Sequence, residues 1–237
     1  MSKRVIILAG GKGTRLLPYT VVFPKPLMPI GEFPILEVII KQLARCGFDR
    51  ITMAVNHHAN IIKAFFCDGH KWGIKIDYSL EDKSLGTMGP LTLIHDLPDN
   101  FLVMNGDILT DLDFGAFYNE HVESKKVFTI SSYLRKQLID YGVLNIDQEQ
   151  HLLEFKEKPL FEYEVSMGVY MLNREAVQYI PAGRYYGFDN LMLDILNAGE
   201  KIKVSRFKGY WLDIGRPDDY AIAVEEFERL RSRFIYD

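Results

Sequence analysis

The sequence predicts an α/β protein in one domain, an open and mostly parallel sheet covered by helices. Strand-length apolar runs alternate with helically periodic segments over residues 1–110. Two of the runs stop at glycine, at Gly10 and at Gly106-Asp107. No internal repeat, charge block or Ser/Gly-rich linker divides the 237 residues. At roughly 150 residues per domain, that length suits one large unit or two small ones.

The elements follow in order. Arg4–Ala9 (RVIILA) is a continuous run centred on the β-branched Val5, Ile6 and Ile7, as suits a strand buried on both faces. A loop over 10–32 carries Pro18, Pro24, Pro26 and Pro29. Ile35–Cys46 has helical spacing and Gly47 is a stop signal. Arg50–Val55 reads as strand, His58–Cys67 as helix and Ile74–Ser79 as strand. A helix is expected from Gly89-Pro90, then a strand over Phe101–Asn105. In the second half, strands are expected over 127–134, 142–146, 152–155 and 165–172. Helices are expected over 174–180, 187–197 and 217–233. In such sheets ligands sit beyond the carboxyl ends of the strands, so the two glycine-ended strands are the first places to look.

Composition narrows the partners. With 28 basic and 32 acidic residues the formal net charge is −4, against the basic excess of a nucleic-acid binder. Any phosphate must be met by a few local cations. Cys46 and Cys67 lack metal-type or C-x-x-C spacing, as expected of idle thiols in a reducing cytoplasm. The opening apolar run ends at Gly10-Gly11, too early for a signal peptide, and no run approaches the ~18 apolar residues of a membrane span. A cytoplasmic protein with no membrane partner is expected.

Gly10-Gly11-Lys12-Gly13-Thr14-Arg15 follows the first strand directly. Its glycines let backbone N–H groups approach an anion, and Lys12 and Arg15 bring charge. The Walker A pattern fails because Gly13 follows Lys12. The dinucleotide fingerprint fails because Leu16 stands where its third glycine belongs. Lys25 lies between Pro24 and Pro26, which hold its backbone extended. Asp107 ends a core strand, and could serve a turn or a ligand. Asp213 could be a ligand or could cap the helix opened by Pro217, while Asp111 and Asp113 read as caps or solvated loop residues.

The run GGKGTRL-x-P-x-T-x(3)-PKPL-x-P-I resembles the signature of the sugar-phosphate nucleotidyltransferases. The resemblance continues through Gly86-Thr87, Asn105-Gly106-Asp107, Glu157-Lys158-Pro159, Gly168-Val169-Tyr170 and Trp211-Leu212-Asp213-Ile214-Gly215. It runs from residue 4 to residue 220 and is strongest toward the mannose-1-phosphate guanylyltransferase-like branch. It implies a Rossmann-like three-layer α/β/α sandwich with a mixed, mostly parallel central sheet. It also implies a catalytic domain without the β-helix that many relatives carry. The nucleotide-binding half would cover about 1–110 and the sugar-phosphate half about 111–237.

The implied reaction joins a nucleoside triphosphate, GTP favoured, to a sugar 1-phosphate of mannose or heptose type. Such a step needs positioning and charge neutralisation rather than a protein nucleophile. By resemblance, Leu8, Ala9, Gly10, Gly11, Gly13, Thr14, Gly86 and Thr87 hold the nucleotide. Arg15 stabilises the leaving pyrophosphate, Lys25 meets the phosphates and Lys158 holds the acceptor phosphate. Tyr141, Gly142, Glu157 and Gly168 would line the sugar site, and Asp107 with Asp213 would hold Mg2+.

Several positions depart from the family pattern. Ser84 stands where proline is common, His57 where an aromatic is found, and Ser166-Met167 where asparagine often precedes the glycine. Asn56 and His57 either touch the base or form a bare loop. Tyr185-Tyr186-Gly187-Phe188 reads as core and rim packing. In the alternative reading the base is another within the family, with uridylyl, thymidylyl or cytidylyl transfer to another sugar or a non-sugar phosphate. A silent regulatory paralogue would be expected to lack Arg15, Lys25 or Asp107, and all three are present. The terminal helix permits a homodimer.

Overall fold

Arg4–Leu8 forms strand β1, its first four side chains fully out of solvent, as its unbroken apolar run requires. This computed structural model describes residues 2–56 and 58–235. Two short strands, β2 (Pro29–Ile30) and β3 (Phe33–Pro34), lead into helix α1 (Ile35–Arg45). Then come β4 (Arg50–Val55), α2 (Ala59–Phe66), β5 (Lys75–Leu80), β6 (Asn100–Asn105), β7 (Ile108–Thr110) and α3 (Phe114–Ser124). The second half continues with β8 (Phe128–Leu138), β9 (Val143–Ile146), β10 (Leu152–Lys156) and β11 (Leu160–Asn173). It ends with α4 (Phe188–Asn197), β12 (Lys203–Phe207), β13 (Trp211–Asp213) and α5 (Pro217–Phe234).

Seven strands form one sheet in the order β12-β8-β11-β6-β1-β4-β5. Only β11 runs against its neighbours, so the sheet is mixed and mostly parallel. Side chains of a strand alternate between faces, and here each face has its own core. Val5, Ile7, Leu102, Met104, Val169 and Met171 pack toward the α1, α3 and α5 layer. Ile6, Phe101, Val103, Tyr170 and Leu172 pack toward the α4 layer. Helices therefore cover both faces, giving the expected three layers.

At the amino end of the sheet Arg4 is a buried clamp, 3% exposed. Its guanidinium donates to Thr52 Oγ1 on β4 at 3.0 Å through Nε and to Asp96 Oδ1 at 2.8 Å through Nη1. That leaves the carboxyl end of the sheet for other work.

β8 and β11 outrun the expected strands. Their inner halves are buried, while Leu134–Leu138 and Leu160–Glu164 stand mostly exposed on an arm closed by the β9–β10 hairpin. The β8–β11 register shifts between Ser166 and Tyr170, where Gly168 has φ of +74°.

Three expectations need correction. The helix from Gly89 is a five-residue 3-10 turn, closed by i→i+3 bonds from Leu91 N to Met88 O at 3.1 Å and from Ile94 N to Leu91 O at 3.2 Å. The helix from Arg174 is also a 3-10 turn, ending at Tyr179, since Pro181 pushes Ile180 out of helical conformation. The helix α3 and strands β7, β12 and β13 were not expected at all. Asp113 caps α3, accepting from Ala116 N at 2.9 Å. Asp111 pairs with Arg233 and accepts from Tyr210 N at 2.7 Å.

Candidate active site

The carboxyl ends of β1, β4, β5 and β6 open onto a cleft of about 290 Å³. Of the residues expected at the nucleotide, Leu8, Gly10, Gly11, Gly86 and Thr87 line it, together with Asp107. A Cβ on Gly11 would meet nothing within 4 Å, so its backbone is open to a ligand. Ala9 is buried and its amide is engaged with Ala54 O at 2.9 Å. Gly13 takes φ of +63°, and its carbonyl accepts from Thr20 Oγ1 at 2.7 Å, which pins the loop into the 3-10 turn Thr14–Leu16. Thr14 and Gly13 thus shape the loop, but neither lines the cleft as it stands.

Gly86 requires glycine twice over. Its φ is +79°, and a Cβ there would lie 2.6 Å from Tyr186 O. The hydroxyl of Thr87 accepts from Phe188 N at 2.7 Å, so it fixes the rim rather than reaching a ligand. Tyr186 and Phe188 do pack inward, but Tyr185 is 70% exposed and lines the cleft.

Glu81 opens the segment Glu81–Thr87 (EDKSLGT), where the family resemblance expects base recognition, and it lines the cleft. It is 7% exposed, accepts from Leu85 N at 3.1 Å through Oε2, and leaves Oε1 beside Gly10, whose Cβ position is 3.1 Å away. Burial pushes its carboxyl up, against the Leu85 N–H that pulls it down. Asn56 lines the cleft too, and His57 lies outside the described residues.

Asp107 and Asp213 come together although no local pattern links them. β13 pairs with β7, placing Asp213 opposite Ile108, and Ile214 N donates to Asp107 O at 3.0 Å. Lys25 forms an ion pair with Asp107 Oδ2. Asp107 Oδ1 is buried with no hydrogen-bond partner among the described residues. Burial, then the charge of Asp107, pushes the Asp213 carboxyl up, opposed by Lys25 and Arg15. Asp213 is not the cap of α5; Arg216 holds that position and contributes no side-chain bond.

The donor set suits a hard divalent cation. Two carboxylates meet, one with a buried oxygen lacking a partner among the described residues and the other raised by burial and then by its neighbour, and a cation would relieve both. No trio of His, Cys, Asp or Glu converges among the described residues, so water and substrate phosphate would complete the shell.

A second cavity of about 390 Å³ adjoins Asp213. Arg15 and Asp213 line it with Arg135, Arg216, Asp219, Tyr133 and Trp211. Arg15 thus lines the cavity beside Asp213 and not the glycine cleft. The residues expected at the sugar phosphate divide into two groups. Tyr141, Gly142, Glu157 and Lys158 cluster on the arm, where a Cβ on Gly142 would lie 3.3 Å from Glu157 Oε2 and Lys158 pairs with Asp140 at 2.8 Å. Gly168 sits apart, its Cβ position 2.7 Å from Asn105 Nδ2 beside the cleft. None of the four arm residues lines either cavity.

Comparison with known proteins agrees with the geometry. The family model described as nucleotidyl transferase matches residues 4–229. A UTP–glucose-1-phosphate uridylyltransferase of Synechocystis is 34% identical over 93% of this chain and 62% of its own length. A D-glycero-alpha-D-manno-heptose 1-phosphate guanylyltransferase of Campylobacter jejuni is 31% identical over 92% of this chain and 96% of its own. The crystal structure of HddC from Yersinia pseudotuberculosis covers 95% of this chain and 99% of its own at 28% identity, with a TM-score of 0.74. The chain spans only about three-fifths of the length of several of the curated relatives it matches. Among the described residues, no helix is long and apolar enough to cross a membrane.

Proposed function

Since the chain belongs to the nucleotidyl transferase family, we propose that it joins GTP to a sugar 1-phosphate of mannose or heptose type. A phosphate oxygen of the acceptor attacks the α-phosphorus of the triphosphate. The bond from that phosphorus to the bridging oxygen breaks, and pyrophosphate leaves. The observation that carries this reading is the Asp107–Asp213 pair, flanked by Lys25 and Arg15 between two cavities.

Each residue has a task in that step. Gly10 and Gly11 let the nucleotide lie against backbone, and Gly86 shapes the opposite rim. Lys25, held between two prolines, keeps an ammonium at Asp107 where phosphate must arrive. Arg15 offers charge to the departing pyrophosphate, and Lys158 with Glu157 offers contacts to the acceptor from the arm. Mg2+ held by Asp107 and Asp213 would supply charge neutralisation on phosphate oxygens. The enzyme would work in the cytoplasm.

Glu81 supports guanine. Its free carboxylate oxygen is an acceptor, and guanine presents adjacent N–H donors at N1 and N2. Uracil and thymine place a carbonyl on each side of one N–H, which a carboxylate repels. Uridylyl transfer is the second reading, supported by the name of the Synechocystis relative. The test is pyrophosphate release with Mg2+ across GTP, UTP, dTTP, CTP and ATP against a panel of sugar 1-phosphates. Release selective for GTP is expected. Selectivity for UTP would favour the second reading, and no release with any pair would sink both.

A further inference from the structure

The β9–β10 hairpin has one face made entirely of large apolar side chains. Leu152 pairs with Ile146 and Phe155 with Leu144 across its ladder, and residues paired in this way share a face. The bulge at Leu153 brings Leu152 and Phe155 to the same side. All four are 54–60% exposed. The opposite face carries Asn145, Glu154 and Lys156, with Lys156 Nζ 3.2 Å from Glu154. The pattern is that of a half-buried sheet whose apolar side is turned to water. β9 and β10 form a sheet of their own, and two strands alone are marginal in water without something to pack against.

The rest of the arm adds to this surface. Among the described residues, ten large apolar or aromatic side chains between 134 and 163 are at least 45% exposed. At roughly 100 Å² for each half-exposed side chain they offer on the order of 1,000 Å², against about 800 Å² from each partner in a standard interface. An arm lying across a partner can bury both of its sides. Helix α5 by contrast shows only Ile222 and Val224 among its described residues as exposed large hydrophobics.

The charges favour a contact between identical surfaces. The apolar face of the hairpin carries none, and flanking cations are answered within the arm, Lys136 by Glu162 at 2.7 Å and Lys158 by Asp140 at 2.8 Å. A two-fold contact sets the same patch on both sides, so it requires such a patch to be free of like-charge repulsion.

The hairpin is also the mount of the residues expected at the acceptor. Tyr141 and Gly142 lead into β9, and Glu157 and Lys158 leave β10. A Cβ on Gly142 would lie 2.6 Å from Phe155 Cε2 and 3.3 Å from Glu157 Oε2, so the Phe155 ring lies against that root. Lys158 takes φ of +43°, a left-handed conformation that a lysine keeps only where its surroundings hold it.

We propose that the apolar face of the β9–β10 hairpin docks on the same face of a second copy of this chain, and that the contact holds Glu157 and Lys158 in position for the acceptor. The docking stands on the surface alone, while the positioning rests on the nucleotidyl-transfer reading. Leu144 and Ile146 are positioning residues, acting on the acceptor only through the root of the hairpin.

Sedimentation velocity of the full chain tests the docking. The wild type should sediment as a dimer of the 27.4 kDa chain, and the double variant Leu144→Lys, Ile146→Lys as a monomer. Leu144→Thr with Ile146→Thr keeps the strand preference and adds no charge, and should weaken the dimer by about tenfold or more in Kd. A monomeric wild type would overturn the proposal, as would a dimer indifferent to both double variants.

Initial rates test the positioning, using the nucleotide and sugar 1-phosphate that release pyrophosphate fastest. In the lysine variant the acceptor KM should rise about tenfold, with the nucleotide KM within about twofold of wild type. An acceptor KM equal in monomer and dimer would overturn it. A lysine-sensitive dimer that releases no pyrophosphate with any pair sustains the docking and removes the transfer reaction. Release by a monomeric wild type does the reverse.

Discussion

The backbone amide of Ile214 donates to the carbonyl of Asp107 at 3.0 Å. That single bond ties the strand carrying Asp213 to the end of β6. It brings together two carboxylates that the sequence keeps far apart, and Lys25 and Arg15 offset only part of their repulsion.

Asp213→Asn should remove this repulsion. The Asp213 carboxyl is pushed up in the folded chain, so it binds its proton more tightly there than when unfolded. Its contribution favours folding at low pH and is lost as pH rises through the folded value. At pH 7 without metal the asparagine variant should therefore melt at or above the wild-type temperature. Added Mg2+ should raise the wild-type Tm and raise the variant's less, and Mg2+-dependent turnover should fall on the order of 10²-fold or more. Equal Mg2+ responses in a thermal melt would remove Asp213 from the metal site.

Arg15→Ala tests which side of the aspartate pair the guanidinium serves. If it stabilises charge on departing pyrophosphate, kcat should fall by roughly 2–4 kcal/mol with little change in nucleotide KM. A loss confined to KM, read from initial rates, would refute that role.

Glu81→Gln keeps an acceptor for Leu85 N–H but can turn an NH2 group toward the cleft, where guanine also presents donors. kcat/KM for GTP should drop by about 1–3 kcal/mol, while that for UTP holds or improves. Parallel losses for both nucleotides would show that Glu81 only supports the loop.

Gly86→Ala should destabilise by about 2 kcal/mol or more, since it adds a Cβ against Tyr186 O at a left-handed φ. A denaturant midpoint equal to wild type would contradict the tight approach described for this rim.

Asp96 accepts from Arg4 and Arg50, and these bonds hold its carboxyl down to about 2, from 3.8. The stabilisation is present above the unfolded value and is lost as pH falls through about 2. Asp96→Asn should be less stable than wild type at pH 7, by a modest amount because the group is largely exposed. The gap should close on acidification; a gap constant from pH 7 to pH 2 would exclude the ion pairs as its cause.

The parts of the fold that depend on local chemistry could be read directly. β1, β4 and β6 are largely apolar runs, and Gly10-Gly11 and Gly106 mark the ends of β1 and β6. What was hidden depends on long-range pairing. β13 has three residues, and its meaning comes from β7, itself only three long. The outer halves of β8 (LRKQL) and β11 (LFEYE) stand mostly exposed on an arm and carry no strict alternation, so no burial pattern extends those strands in sequence. Arg135 and Arg216 look like surface cations until β8, β13 and the start of α5 meet. Glu81 falls in the segment expected at the base, but its burial, which frees one carboxylate oxygen toward Gly10, is visible only in the fold.

Strand β6 ends in Asn105, and Asp107 follows, both at the cleft. Phe101 and Val103 are gripped by one helical layer, Leu102 and Met104 by the other. The height at which those two polar residues stand is thus set by two independently packed interiors, and a methylene gained or lost in either one is felt at the same tip. Trimming Phe101 or Leu102 offers a way to tune the reaction from behind, through volume alone, leaving every ligand-facing atom as it is.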